Sequence, residues 1–335
     1  MTTASFPARK IARTWTQLAE SNWPPRSWIG ETLNLNGAEW FARIDHAGDN
    51  NCPPIVMIHG LVVSGTYFRP VAMCLDDDLR LYIPDLPGFG SSETNDGVWT
   101  LSQHADGLAA WLIAHELEGA ILVGNSLGCQ ILTLLAVRYP ELVHSLILIA
   151  PTMDPGDSSL PAIAWGAVKD VPRERPSIWK IWIPDFLRAG PWRAIKSLYS
   201  GFRDPQTYRL DDIRQPVLVV GGERDPIISE AWVREMADRI PLGEAVIVPG
   251  ASHAMNYSDP KALAEVIHRA VRKPALLRVA KLPVDEAECQ IFLHRASRKS
   301  PRRIRAWLTA PHSVRTLGSL ICSCGDSVCS DPILD

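Results

Sequence analysis

The sequence lacks any apolar run of the roughly 20 residues that a membrane-spanning helix requires, so it does not predict an integral membrane protein. Residues 1–23 have neither an apolar central stretch nor a small-residue cleavage site, and we therefore expect no signal peptide. Seven cysteines among 335 residues are too few for the disulfide framework of a small secreted protein. These absences favour a cytoplasmic protein with free thiols.

The sequence also has little net charge, −3 at neutral pH, and this charge is unevenly distributed. Residues 273–335 contain ten Lys and Arg against six Asp and Glu, which gives this segment +4 and leaves −7 for residues 1–272. A mildly acidic body argues against nucleic acid as the main partner. With 46% hydrophobic and 21% charged residues, the composition is that of an ordinary globular protein.

Short apolar runs alternate with longer amphipathic segments from about residue 30 onward. Runs rich in Ile, Val and Leu and bounded by Gly, Pro or Asp predict strands that are buried on both faces of a parallel sheet. These runs are PPIVMIHG, LRLYIPD, AILVGNS, HSLILIA, PVLVVGG and EAVIVPG. The segments predicted as helices are 66–76, 100–117, 127–139, 229–239 and 259–272. Before them, an antiparallel pair with a turn at Asn36-Gly37 is predicted. The alternation predicts an α/β fold with a mostly parallel sheet.

The alternation breaks between residues 152 and 210, a Pro-rich stretch without strand-like runs that contains Trp165, Trp179, Trp182 and Trp192. We interpret it as a helical cap inserted over one edge of the sheet. The alternative is a helical crossover that packs its tryptophans into the core. The predicted organisation comprises an N-terminal helical extension, two parts of an α/β core, the cap between them and a C-terminal extension. The N-terminal extension covers residues 1–28, with an amphipathic helix predicted over 8–23. The first part of the core covers 29–151, the cap 152–210 and the second part of the core 211–272. The C-terminal extension covers 273–335.

One serine is placed at the sharp end of a predicted buried strand. The stretch AILVGNSLG has Ser126 between Gly124 and Gly128, followed by an apolar helical segment. Gly-x-Ser-x-Gly between a strand and a helix is typical of a nucleophile elbow, a tight turn that exposes the serine hydroxyl at the helix N-terminus. The alternative is a glycine-rich packing turn.

A nucleophilic serine needs a base, and that base needs an acid to orient it. In a fold with a nucleophile elbow, the acid and the histidine follow the serine in chain order, each on a loop after a late strand. Asp225 follows the strand PVLVVGG and His253 follows EAVIVPG. Asp154 is a competing acid, and its position after an earlier strand is less favourable than that of Asp225.

The oxyanion of an acyl-transfer reaction needs hydrogen-bond donors. The backbone N–H of Leu127, directly after the serine, is one candidate. The second is the N–H of Leu61, in the loop after VMIHG. His59 in that loop is interpreted as a structural residue that braces the turn. This chemistry requires no metal and no organic cofactor.

The chain resembles the α/β-hydrolase superfamily from about residue 30 to 272. The motifs that carry the resemblance fall in the family's order and are HG at 59–60, DLPGFGSS at 85–92, GNSLG at 124–128, GERDP at 222–226 and SHAMNYSDP at 252–260. The resemblance implies an eight-stranded, mostly parallel sheet flanked by helices, and a Ser126–Asp225–His253 triad under a helical cap. Haloalkane dehalogenases and cap-bearing epoxide hydrolases are similar but have aspartate at the nucleophile, so the serine argues against those activities.

The function predicted from these features is a carboxylesterase-like serine hydrolase that forms an acyl-enzyme. Tryptophans of the cap (Trp165, Trp179 and Trp182) are the predicted substrate-binding residues, which suggests a small, largely apolar ester. Hydrolysis of a carbon–carbon bond in ring-cleavage products is an alternative, as are lactonase and perhydrolase activities. A small-molecule receptor with slow turnover is the alternative outside enzymes, because a fold does not settle a function.

Residues 273–335 lie beyond the resemblance. They contain the basic run RASRKSPRRIR and a cluster of Cys322, Cys324 and Cys329. The C-x-C-x₄-C spacing fits a zinc site poorly, although His312 is nearby. We expect a flexible or loosely packed extension without a metal.

Overall fold

The computed structural model of the chain describes residues 10–13, 28–45, 48, 52–95, 97–152, 160–203 and 209–272. Among these residues the strands are β1 (Lys10–Arg13), β2 (Trp28–Leu35), β3 (Ala38–Asp45), β4 (Ile55–Ile58), β5 (Leu81–Pro84), β6 (Glu93–Thr94), β7 (Ala120–Asn125), β8 (Val143–Ile149), β9 (Val217–Gly222) and β10 (Gly243–Val248). The helices are α1 (Arg69–Ala72), α2 (Leu101–Ala114), α3 (Leu127–Arg138), α4 (Leu160–Asp170), α5 (Trp179–Ala189), α6 (Pro191–Arg203), α7 (Glu230–Arg239), α8 (Met255–Ser258) and α9 (Pro260–Arg272).

All described strands belong to one sheet. Their order is β1-β2-β3-β5-β4-β7-β8-β9-β10, with β6 paired to β3. The strands from β5 through β4, β7, β8 and β9 to β10 run parallel, whereas β1, β2, β3 and β6 pair antiparallel. The predicted α/β fold with a mostly parallel sheet is confirmed. Within the described ranges the sheet has ten strands where eight were expected, because the short β1 and the two-residue β6 extend its antiparallel end.

The central strands coincide with the apolar runs of the sequence. Every residue of β4, β5, β7 and β9 is buried, as expected for strands covered on both faces. The edge strand β10 is half-buried along most of its length, because it has a neighbour on one side only. A strand with an uninterrupted apolar run is therefore central in this sheet.

The predicted hairpin is confirmed between β2 and β3. Leu35 pairs with Ala38, which leaves Asn36 and Gly37 as a two-residue turn. Both have positive φ, 49° and 79°, as a type I′ turn requires.

The predicted helix over residues 8–23 is wrong for Lys10–Arg13, which form β1 and pair antiparallel with β2. The outer edge of β2 offers unpaired backbone N–H and C=O groups, and the short segment forms its own backbone hydrogen bonds by pairing with this edge. Four residues are too few for their local pattern to distinguish helix from strand. Residues 14–23 lie outside the described residues.

A cluster of tryptophans anchors the antiparallel strands to the helices. Trp40 of β3 stacks on Trp111 of α2 with ring centroids 6.4 Å apart and meets Trp99 edge-on at 6.3 Å. Gly107 of α2 allows this approach, since a Cβ at that position would lie 2.6 Å from the Trp99 ring. The helix starts at Leu101 and is capped by Thr100, whose side chain forms a capping box with Gln103.

The break in the strand–helix alternation corresponds to three helices. Among the described residues between β8 and β9, α4, α5 and α6 are present and no strand occurs. Pro184 is tolerated inside α5, and α5 packs against α6. The assignment of this segment as a cap remains a prediction.

None of the helices in the described ranges combines the length and apolarity needed to cross a bilayer.

Candidate active site

The predicted site residues lie at one edge of the sheet. Ser126 directly follows β7, Asp225 follows β9 and His253 follows β10, while Leu61 lies in the loop after β4. These strands are parallel, so their carboxyl ends meet at the same edge. The fold thus brings together four residues that are up to 192 positions apart in the sequence.

Ser126 has the backbone geometry of an elbow. Its φ of 53° and ψ of −117° lie in a region that disfavours side chains, and α3 starts at the next residue. A Cβ on Gly128 would lie 2.5 Å from the carbonyl oxygen of Ile58, and one on Gly124 would lie 2.9 Å from Leu132. The two glycines therefore allow the turn to pack against β4 and α3.

A chain of polar contacts links the three predicted catalytic residues. His253 Nε2 lies 3.3 Å from Ser126 Oγ, and His253 Nδ1 lies 2.8 Å from Asp225 Oδ2. Asp225 is fixed in turn, because its Oδ1 accepts hydrogen bonds from the N–H groups of Ile227 and Ile228 at 2.8 and 3.0 Å. With Nδ1–H donating to Asp225, Nε2 is free to accept the serine proton.

The charge environment favours a protonated His253. Burial lowers the pKa of the imidazole, but the charge of Asp225, its hydrogen bond and the charges of Asp170 and Glu174 raise it more, to about 8. The histidine is thus poised to change its charge close to neutral pH.

Asp170 and Glu174 form a buried carboxyl pair that holds the loop of His253. Asp170 Oδ1 accepts from Ser252 Oγ at 2.9 Å and lies 3.5 Å from the backbone nitrogen of His253. Glu174 accepts from the N–H of Ala254 at 3.0 Å and from the hydroxyl of Ser258. Burial, together with the nearby charge of Asp170, raises the pKa of Glu174 to about 7.

Sequence reasoning missed this carboxyl pair. Asp170 ends α4 and precedes His253 by 83 positions, so no local motif joins them. The burial of both carboxyls distinguishes them from ordinary surface acids, but this burial is known only once the fold is known, so the sequence carried no signal for the pair.

The loop after β4 lies directly against the elbow. A Cβ on Gly60 would be 3.1 Å from the Cβ of Ser126, and Leu61 is the next residue in the chain. Leu127 is the first residue of α3, where helix N–H groups have no partner within the helix. Both predicted oxyanion donors are therefore adjacent to the serine.

His59 braces this loop, as the sequence suggested. Its Nδ1 lies 2.8 Å from the Gly60 carbonyl, and its Nε2 accepts from the N–H of Leu86 at 2.9 Å. Burial lowers the pKa of His59, which keeps the ring neutral and suited to donate at one nitrogen and accept at the other. Asp85 adds support by accepting from Gly65 N–H and pairing with Arg43 at 2.7 Å.

A largely apolar pocket of about 390 Å³ opens above Ser126 and His253. Its volume lies within the range of small-molecule sites. Trp179 and Trp182, whose rings meet edge-on with centroids 5.4 Å apart, form part of the wall. The remaining lining residues are Gly60, Leu61, Val62, Val63, Tyr67, Asn125, Ala167, Ile183, Phe186 and Leu187.

Trp165, which the sequence also predicts to bind substrate, is not among the side chains that line this pocket. The side chain is 60% exposed, and the ammonium of Lys169 lies 5.5 Å from its ring centroid. Trp165 is on the same helix as the lining residue Ala167 but points to a different side, because residues two apart on a helix do not share a face.

Two further groups bear on the chemistry. Cys129 lies close behind the elbow, but burial raises the pKa of its thiol and its Sγ is 3.3 Å from the carbonyl oxygens of Gly124 and Ile149, so it is a structural residue. In the described part of the chain, no three His, Cys, Asp or Glu side chains are grouped to bind a metal ion. The competing acid Asp154 and the cysteines of 322–329 lie outside the described residues.

The chain is similar to several characterised hydrolases. Residues 55–266 match the Alpha/beta hydrolase family. A pimeloyl-[acyl-carrier protein] methyl ester esterase from Aeromonas hydrophila is 27% identical over 248 residues, which cover 65% of this chain and 95% of the relative. A 2-(acetamidomethylene)succinate hydrolase from Mesorhizobium japonicum is 25% identical over 234 residues, covering 62% and 84%.

A solved structure shares the same architecture. An esterase from Thermogutta terrifontis superposes with a TM-score of 0.60 at 24% identity, covering 75% of this chain and 99% of that protein. At this identity the likeness concerns the fold.

Proposed function

Because the chain belongs to the alpha/beta hydrolase family, we propose that it is a serine hydrolase that cleaves a carboxylic ester of a small, largely apolar substrate. The observation that carries the proposal is the hydrogen-bonded chain from Ser126 through His253 to Asp225 at the floor of an apolar pocket. A nucleophile, a base and an orienting acid in contact are the minimum set for acyl transfer.

The mechanism follows from the position of each group. His253 Nε2 takes the proton of Ser126 Oγ as this oxygen attacks the ester carbonyl, and the backbone N–H groups of Leu61 and Leu127 stabilise the oxyanion. The alcohol leaves with the proton from His253, and an acyl-enzyme remains. Water, deprotonated by the same histidine, then releases the acid, while Asp225 stabilises the imidazolium in both steps.

The pocket supports an apolar acyl or alcohol group. Its wall from α5 consists of Trp179, Trp182, Ile183, Phe186 and Leu187, which offer no charge to a substrate. The esterase and the hydrolase among the relatives are consistent with acyl chemistry on such a frame.

Hydrolysis of p-nitrophenyl esters from acetate to decanoate tests this proposal. We expect turnover with an optimum at an intermediate chain length, because the pocket volume limits the acyl group. An alkyl phosphonate that labels serine nucleophiles should modify Ser126, as located by peptide mass spectrometry, and should leave the Ser126→Ala protein unlabelled. Folded protein without turnover across the series would contradict the esterase proposal and favour carbon–carbon bond hydrolysis or a receptor.

The carboxyl pair should contribute to the pH dependence of the reaction, in addition to the larger effect of Asp225. A base must be neutral to accept the serine proton, so kcat/KM should rise with pH through the pKa of His253, about 8. The double substitution Asp170→Asn/Glu174→Gln keeps the acceptors but removes both negative charges, which lowers the pKa of His253. We expect the acid limb of kcat/KM to move down by roughly half to one pH unit.

Asp185→Asn is the control for this pH experiment. Asp185 is a buried carboxyl of α5 that is not among the groups acting on the pKa of His253. An acid limb that stays in place in the double variant, with circular dichroism showing native structure, would contradict the electrostatic role of the pair.

A further inference from the structure

Among the residues that the structure describes, the exposed apolar side chains are concentrated in one segment. Twelve large hydrophobic side chains are exposed in the described chain, and nine of them lie within the 44 residues of α4–α6. These nine are Trp165, Val168, Trp179, Ile183, Phe186, Leu187, Trp192, Ile195 and Tyr199. A concentration of this kind marks an interaction surface, because the surface of a monomer rarely gathers its large apolar side chains in one place.

The same segment carries exposed charge of a single sign. Residues 160–203 contain eight Lys and Arg and three Asp and Glu, a net charge of +5 in a chain whose total is −3. The three acidic side chains, Asp170, Glu174 and Asp185, are all buried. Seven of the basic residues are exposed, and the eighth, Arg193, is half-buried. The accessible surface of α4–α6 is therefore cationic and apolar.

Cations and aromatic rings are paired on this surface. Lys196 lies 4.9 Å from the ring centroid of Trp192, and Arg203 lies 5.1 Å from that of Tyr199. Trp192, Ile195 and Tyr199 follow a spacing of three and four, so they share one face of α6. Trp and Tyr beside Lys and Arg is the composition of helices that lie at the interface of an anionic bilayer.

The pocket opens through this surface. Four of the exposed side chains, Trp179, Ile183, Phe186 and Leu187, also line the pocket above Ser126. A group that enters from an apolar layer in contact with α5 would pass between these side chains to the pocket.

We propose that the exposed surface of α4–α6 docks on membranes that contain anionic phospholipid, and that the pocket receives its ester from this lipid layer. The docking is inferred from the composition of the surface alone. The delivery of the ester from the lipid layer rests on the proposed hydrolase activity. Charge decides among the possible occupants. A second copy of this surface carries the same charge as the first, so a symmetric dimer formed through it would be repelled. An anionic lipid surface attracts the basic groups and accepts the apolar ones.

The test is sedimentation of the full chain with sucrose-loaded vesicles at low salt. We use the Ser126→Ala protein with vesicles of phosphatidylcholine alone and with 30% phosphatidylglycerol. The partition coefficient is calculated from the bound fraction, and we expect phosphatidylglycerol to raise it at least tenfold. Addition of 0.5 M NaCl should lower it, because salt screens the attraction.

Two variants probe the surface. Lys180→Glu/Lys196→Glu reverses charge on α5 and α6, and Ile195→Ser removes an apolar side chain; none of these residues lines the pocket. Each variant, made in the Ser126→Ala protein, should lower the partition coefficient at least fivefold. The same substitutions made in protein that retains Ser126 should leave turnover of the water-soluble acetate ester unchanged. The matched controls are Lys261→Glu/Arg269→Glu on α9 and Ile113→Ser on α2, which are also exposed and should bind as the parent does.

The outcomes separate the two parts of the proposal. Vesicle binding that is lost in both surface variants supports docking. Binding that persists in them, or no vesicle binding by a protein that hydrolyses soluble esters, overturns docking and leaves the proposed activity standing. Absence of ester turnover with intact, variant-sensitive vesicle binding overturns the activity and retains the docking. Binding of an acidic carrier protein without vesicle binding assigns the surface to a protein partner and overturns the lipid proposal.

Discussion

Replacing Ser126 with alanine is expected to lower kcat for p-nitrophenyl esters by about 10⁶-fold, the effect of removing the nucleophile of a triad that acts as a unit. The alanine keeps the Cβ and the strained backbone of the elbow, so the fold should be unchanged. The loss is large because the substitution removes the hydroxyl that contacts His253 Nε2 and whose oxygen attacks the ester carbonyl. Initial rates at saturating ester, with the melting temperature measured in parallel, give the comparison.

Ser91→Ala is the matched control for this substitution. Ser91 is exposed and lies in the loop after β5, and its loss should leave kcat at the value of the unmodified protein. Turnover of Ser126→Ala within tenfold of that value would show that another group performs the attack and would overturn the proposed nucleophile.

Replacing Asp225 with asparagine is expected to lower kcat by about 10⁴-fold. Asp225 Oδ1 accepts from two backbone N–H groups, so the carbonyl oxygen of an asparagine should occupy that position. Its amide nitrogen would then face His253 Nδ1 and donate to it. The imidazole would be forced to carry its proton on Nε2, where it cannot accept the proton of Ser126. The cause of the loss is the wrong tautomer, with the geometry of the site retained.

The measurement is kcat for Asp225→Asn beside Asp154→Asn, which tests the competing acid named from the sequence. We expect Asp154→Asn to be close to unmodified protein, because His253 Nδ1 already has its partner at 2.8 Å. A large loss in Asp154→Asn with near-normal turnover in Asp225→Asn would transfer the role of the acid to Asp154. Nuclear magnetic resonance of the His253 ring nitrogens would report the tautomer directly.

The central sheet could be predicted from the sequence because local composition determined its strands. The apolar runs that became β4, β5, β7, β8 and β9 are buried along almost their whole length, so no competing periodicity obscured them. The Asn36-Gly37 turn was equally local, since positive φ at both positions selects these residue types. β1 and β6 were missed because each is defined by its pairing partner more than by its own residues.

The site could be predicted where strand order determines it. Ser126, Asp225 and His253 each follow a strand, and parallel strands deliver such residues to one edge. The surroundings of the site depend on long-range packing. The contact of Asp170 with the loop of His253 and the outward position of Trp165 follow from how α4 lies on the core, which its sequence pattern does not encode.

The backbone of Ser126 has a consequence for the history of this chain. Its positive φ is a conformation that glycine adopts without strain, and a side chain held there costs about 1–3 kcal/mol. Stability alone would therefore favour glycine at this position, whereas the proposed nucleophile requires a serine there. On the proposed function, a lineage that no longer needs turnover should lose the serine at residue 126 before substitutions accumulate in the packed interior of the sheet.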